Sequence, residues 1–238
     1  MNNRVLVSLS MIGVVAAIVI GGTVAYFSDT ETSSGNTFTA GTLDLKVDNE
    51  CYYNGEFQKK CSWQETDLTD QKFFNFNDIK PGDHGEDTIS LHVYDNDAHL
   101  CAYVTNLTNA ENGCNEPEGN VDETCDKPGV GKGELQDNIY VTIWRDTGVE
   151  GVGDCDNELQ EGEEILVNNE PIDNSEGGWY LGVLPGSKTT CLGVRWNVPS
   201  DVGNIIQSDS VTGDISFYTE QYRHQEEGFE CPETPPQP

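Results

Sequence analysis

Apolar and polar positions alternate with a period of two along much of this chain. Leu43, Leu45 and Val47 alternate with Asp44, Lys46 and Asp48, and Ile89, Leu91 and Val93 with Thr88, Ser90 and His92. The same holds for Ile139, Val141 and Ile143 against Asn138, Tyr140 and Thr142, for Leu192, Val194, Trp196 and Val198, and for Ile215 and Phe217. Successive side chains of a strand point to opposite faces, so this alternation predicts strands with one face in a core and one in water. Turn signals separate them at Asn54-Gly55, Pro81-Gly82, Gly177-Gly178 and Pro185-Gly186. After the N-terminal segment no window carries a helical period, and no strand–helix–strand rhythm appears. The pattern predicts an all-β fold, an antiparallel β-sandwich of jelly-roll type.

The ends of the chain read differently. Residues 1–26 hold Arg4, an uncharged run from Val5 past Gly22, and then small residues, the pattern of a secretory signal peptide that forms a helix ahead of the sandwich. Ala25/Tyr26 fits the small-residue rule for the cleaved bond. An uncleaved anchor is the alternative, since the run approaches the ~20 residues that span a bilayer. Residues 27–38 form a polar, Pro-free, extended-compatible segment, residues 39–225 the sandwich, and residues 226–238 a Pro-rich tail expected to stay disordered. Two long acidic loops interrupt the strands, Asn109–Glu134 and Asp146–Glu164.

Charge sets the class of partner. Twelve Lys and Arg stand against 42 acids, a formal net charge of −30. Such a surface repels nucleic acid and anionic lipid, and keeps monomers apart unless salt screens it. The expected membrane contact is through the uncleaved precursor. Adaptation to high salt accounts for the acidity without a dedicated cation site. All eight cysteines, Cys51, Cys61, Cys101, Cys114, Cys125, Cys155, Cys191 and Cys231, follow the signal, and in an oxidising compartment they predict up to four disulfides. Spacing suggests two pairs, Cys51 with Cys61 and Cys114 with Cys125. Asn106-Leu107-Thr108 is a glycosylation sequon, placing Asn106 on the surface.

Little in the sequence points to catalysis. The four histidines, His84, His92, His99 and His224, form no HExxH pair, no cysteine pair has zinc spacing, and the glycine-rich stretch 129–133 lacks phosphate-loop spacing. No catalytic residue or obligatory cofactor is expected. Calcium is the candidate ion, because Asp154, Asp156 and Glu158 open the second loop with the spacing of an EF-hand. Leu159 then stands where the turn glycine belongs and Ile165 where the closing glutamate belongs, so a solvated acidic loop is the simpler reading.

The motifs Gly22-Thr23, Phe27-Ser28-Asp29 and Thr37-Phe38-Thr39-Ala40-Gly41-Thr42-Leu43-Asp44-Leu45, with Lys80-Pro81-Gly82-Asp83 and Gly213-Asp214-Ile215-Ser216-Phe217 further on, carry a resemblance. The chain resembles the TasA/camelysin family of secreted fibre-forming proteins, which includes archaeal bundling-pilus relatives. The resemblance implies export through a dedicated signal peptidase, with Tyr26/Phe27 as the cleaved bond, since the family's mature chains begin at the matching Phe. It also implies an extracellular or cell-surface filament, of the kind found in pili and biofilm matrix, in which copies of the chain bind one another by donor-strand complementation. The donated strand would be residues 27–38, with Phe27 and Phe38 as apolar anchors and Thr30 and Thr32 in the paired stretch. A calcium-dependent surface-binding module and a secreted camelysin-like metallopeptidase are the competing functions.

Overall fold

The computed structural model describes residues 43–149, 152–223 and 228–236. The expected signal peptide (residues 1–26) and the 27–38 segment with Phe27, Thr30, Thr32 and Phe38 lie outside the described residues. Residues 41–238 form one compact unit. Two antiparallel sheets enclose its core. The larger contains β1 (Asp44–Tyr53), β2 (Glu56–Phe57), β3 (Trp63–Thr66), β4 (His84–Tyr94), β7 (Tyr140–Val149), β8 (Val152–Asp154), β9 (Ile165–Pro171) and β11 (Lys188–Asn197). Its order is β2-β1-β4-β11-β7-β8, with β3 also on β1 and β9 also on β7. The smaller holds β5 (Ala98–Glu111), β6 (Gly129–Val130), β10 (Gly177–Leu184) and β12 (Asp209–Gln221), in the order β10-β5-β12 with β6 also on β5. One helical turn, α1 (Leu135–Asn138), and two 3₁₀ turns complete the described elements.

Four of the alternating segments are strands of the larger sheet (β1, β4, β7 and β11) and the fifth, Ile215–Phe217, lies in β12 of the smaller one; their apolar positions make the core. Ile89, Leu91, Val93, Val141, Ile143, Val194 and Trp196 are buried, while Leu43, Leu45, Ile215 and Phe217 pack half-buried against them. Asn54 and Gly55 both take positive φ in the β1–β2 turn, the backbone that a two-residue hairpin requires.

Three aromatic rings lie flat against glycines directly opposite them on the neighbouring strand. The pairs are Gly85 with Trp196, Gly193 with Trp144, and Gly178 with Tyr103. A Cβ on these glycines would stand 2.5, 2.1 and 2.8 Å from the ring atoms, closer than any real contact. Gly177-Gly178 is therefore not a turn, as its sequence suggests, but the start of β10. The glycine is there to admit the buried Tyr103 ring.

β5 shows no alternation because it has no wet face over its first half. Ala98 through Tyr103 are all buried. The C-terminal segment covers the outer side: Phe229 stacks on His99 at 4.1 Å, Cys231 is bridged to Cys101, and Tyr103 Oη donates to the Pro232 carbonyl at 3.0 Å. The reading of residues 226–238 as a free tail is corrected to that extent, since an aromatic, a disulfide and a hydrogen bond hold 229–232.

All eight cysteines are paired, as Cys51–Cys61, Cys101–Cys231, Cys114–Cys125 and Cys155–Cys191. The two short-range pairs are those that the spacing suggested. Both long loops are shorter than the sequence implies. β5 runs on to Glu111 and β6 pairs back onto it, and β7 and β8 form a hairpin whose far end Cys155 fastens to β11.

Candidate functional site

The smaller sheet is open at its β12 side. Among the described strands β12 pairs with β5 on one edge, and no described strand lies on the other. None of its thirteen residues is fully buried, whereas β4 alternates buried and half-buried positions after its exposed first residue. Ile215 and Phe217 line a narrow apolar crevice between the sheets with Val104, Leu166 and Trp179. An unpaired row of backbone donors and acceptors beside a partly covered apolar surface is a template for another strand. β12 has a bulge between Thr212 and Asp214 but no Lys or Pro to block such pairing.

The histidines do not converge. His84 is exposed at the start of β4, where its N–H donates to Asn54 Oδ1. His92 bridges Asp48 (2.6 Å) and Thr189 (2.8 Å) across the outer face of the larger sheet, a cross-strand hydrogen-bond ladder. His99 is buried, with Nδ1 2.7 Å from the Tyr180 hydroxyl. His224 lies outside the described residues. Among the described residues no cluster of three metal-competent side chains includes a histidine.

Asp154, Asp156 and Glu158 are all exposed, and Asp156 is occupied within its own loop, accepting from the Glu158 N–H and Gln160 Nε2. The buried acid of that loop is Asp146, which accepts the Asn157 N–H at 2.7 Å and whose carboxyl is pushed up by burial. Asn106 lies inside β5. It is exposed at φ +56° and its Nδ2, the atom a glycan would take, donates to Asp214 Oδ2 at 2.8 Å.

A second acidic group has no counterpart in the sequence reading. Glu111 ends β5, Asp209 begins β12 directly opposite it, and Glu134 precedes α1. One ligand oxygen of each lies within 4.8 Å of the others. Asp209 Oδ2 accepts the N–H groups of Glu134 (2.6 Å) and Leu135 (2.9 Å). Burial, then the charges of Glu111 and Glu134, push the Asp209 carboxyl up to about 7 against those two hydrogen bonds. Burial likewise raises Glu134 and, in the Cys114–Cys125 loop, Glu118. The residues come from three separate segments, so no spacing rule could have joined them.

Residues 3–97 match a family model described as camelysin metallo-endopeptidase. The match covers the N-terminal segment, β1 to β4 and the turn before β4, and stops short of β5. No curated protein matches the chain.

Proposed function

We propose that the chain, whose residues 3–97 match the camelysin family model, is a secreted structural subunit of extracellular filaments. Each subunit donates residues 27–38 to the open edge of β12 on the next. The β12 edge that no described strand covers, with its half-buried Ile215 and Phe217, is the observation that carries the reading. Lengths agree: a donor of twelve residues faces a strand of thirteen. Phe27 and Phe38 are the apolar side chains of an otherwise polar donor, so its affinity comes chiefly from main-chain hydrogen bonds. A head-to-tail contact of this kind does not close on itself and propagates as a fibre.

Charge makes the contact conditional. The donor carries Asp29 and Glu31, and β12 carries Asp209, Asp214 and Glu220. Assembly strengthens as salt shortens the screening length from ~10 Å at 0.1 M to ~3 Å at 1 M. The test follows fibre formation by electron microscopy across a salt series, for the processed protein, a 27–38 deletion and Thr32→Pro. The deletion stays a folded monomer and Thr32→Pro assembles poorly, because Pro removes a ladder donor. Fibres from the deletion indistinguishable from wild type refute the donor-strand contact.

The family's description as a metallo-endopeptidase supplies the second reading. Chelator-sensitive cleavage of an unfolded protein substrate by the same preparations would favour it.

A further inference from the structure

We propose that Glu111, Glu134 and Asp209, backed by Glu118 and Asp122, form a calcium-binding site that ties the loop after β5 to the end of the β5–β12 ladder. This site is separate from the β12 edge contact and does not depend on it.

Its starting point is an arrangement that costs energy as it stands. Glu111 and Asp209 are direct cross-strand partners, and like charges opposite one another destabilise a sheet. Glu111 is 2 % exposed and Glu118 fully buried, and a buried carboxylate is costly unless paired. Among the described residues no Lys or Arg forms an ion pair with any of the five acids. Glu118 and Asp122 are near enough to Glu134 to add to its repulsion.

Four of the five carboxylates are held by one oxygen. Glu111 Oε1 accepts the Gly113 N–H (2.9 Å), Glu118 Oε2 the Asn115 N–H (3.3 Å), Asp122 Oδ1 the Thr124 N–H (2.7 Å) and hydroxyl (2.8 Å), and Asp209 Oδ2 the two N–H groups at α1. Their other oxygens, Glu111 Oε2, Glu118 Oε1, Asp122 Oδ2 and Asp209 Oδ1, are buried without a hydrogen-bond partner, and so is Glu134 Oε2. The hydrogen bonds fix the side chains while leaving a free oxygen on each.

That donor set selects the ion. Calcium takes six to eight oxygens at about 2.3–2.6 Å, so oxygens on opposite sides of one ion stand about 5 Å apart. The 4.8 Å limit on the Glu111, Glu134 and Asp209 oxygens fits a single such sphere. Zinc prefers nitrogen and sulfur, and the nearby Cys114 and Cys125 are consumed in a disulfide. Magnesium demands a tighter octahedron and gives up its waters reluctantly. A cleft of ≈ 450 Å³ lined by Asn109, Thr124, Lys127 and Glu134 opens beside the site and gives an ion access to Glu134.

The experiment titrates calcium chloride into metal-stripped processed protein by calorimetry, with thermal melts in calcium, in magnesium and without either. Wild type, Glu111→Gln, Glu134→Gln and, in the other acidic loop, Asp156→Asn are compared. Wild type is expected to bind one calcium ion per chain with a rise in Tm that magnesium does not reproduce. Each Glu→Gln variant weakens that binding by at least about tenfold, and Asp156→Asn leaves it unchanged. Without metal, Glu111→Gln melts at or above wild type, because it removes one of two facing charges; this crossing separates a lost ligand from a damaged fold. Glu134 is only partly buried, so Glu134→Gln decides the question even where Glu111→Gln fails to fold. Absence of calcium binding in wild type, or binding undiminished in Glu134→Gln, overturns the site.

Discussion

Breaking the Cys101–Cys231 bridge is the most informative perturbation of the fold, because it tests whether the C-terminal segment is a structural part of β5. The bridge spans 130 residues, against 10 for Cys51–Cys61. In the chain-entropy account a cross-link over about 100 residues restricts the unfolded chain by about 4.7 kcal/mol and one over about 15 residues by about 3. Replacing Cys101 and Cys231 together by Ala should therefore cost about 4–5 kcal/mol, roughly 2 more than the same change at Cys51 and Cys61. For a domain of this size each kcal/mol moves Tm by about 2–4 °C, so the expected fall is about 8–20 °C. Local contacts act in the same direction. Releasing Cys231 frees Phe229 from the His99 ring and takes the Pro232 carbonyl from Tyr103, whose hydroxyl is then left to find water. Urea and thermal unfolding by circular dichroism, without reductant, measure the loss, and limited proteolysis at the C-terminus reports the release. If the Cys101/Cys231 variant is no less stable than the Cys51/Cys61 variant, loop closure and the tail's hold on β5 do not govern this domain.

Two further outcomes follow from packing and burial. Gly193→Ala places a methyl 2.1 Å from the fully buried Trp144 ring and should cost about 1–3 kcal/mol by overpacking, whereas Gly113→Ala, with open space around its Cβ, should stay within about 0.5 kcal/mol of wild type by urea unfolding. A stabilising Gly193→Ala would show the ring free to move. Asp87 lies fully buried in β4, holding Asn49 Nδ2 at 2.8 Å with its second oxygen unpartnered, and burial raises its carboxyl well above the ordinary range. The folded state then keeps a proton that the unfolded chain has released, so stability falls as pH climbs from about 4 towards the raised value. Asp87→Asn should flatten that slope on the alkaline side of the ordinary carboxylate range, and an unchanged slope would remove Asp87 from the account.

How far the sequence could be read depended on which faces of a strand meet water. Ile89, Leu91 and Val93 alternate visibly because β4 has a core side and a solvent side. Ala98–Tyr103 does not alternate, because residues more than a hundred positions later cover its outer side, and no local window contains that information. Gly178 misleads for a related reason: glycine reads as a turn, but here it is the space a ring occupies on the next strand. The acids pose the same problem in sharper form. Asp154, Asp156 and Glu158 draw the eye because they are adjacent in sequence, yet they are exposed and Asp156 is already occupied in its own loop. Glu111 and Asp209 are 98 positions apart and meet only through the β5–β12 register. A net charge of −30 describes a surface, and most of these acids need nothing beyond water and salt. The ones that need a cation are those the register forces together inside the fold with an oxygen to spare, so ligation by this chain is a property of strand pairing, and acid density along the sequence is a poor guide to it.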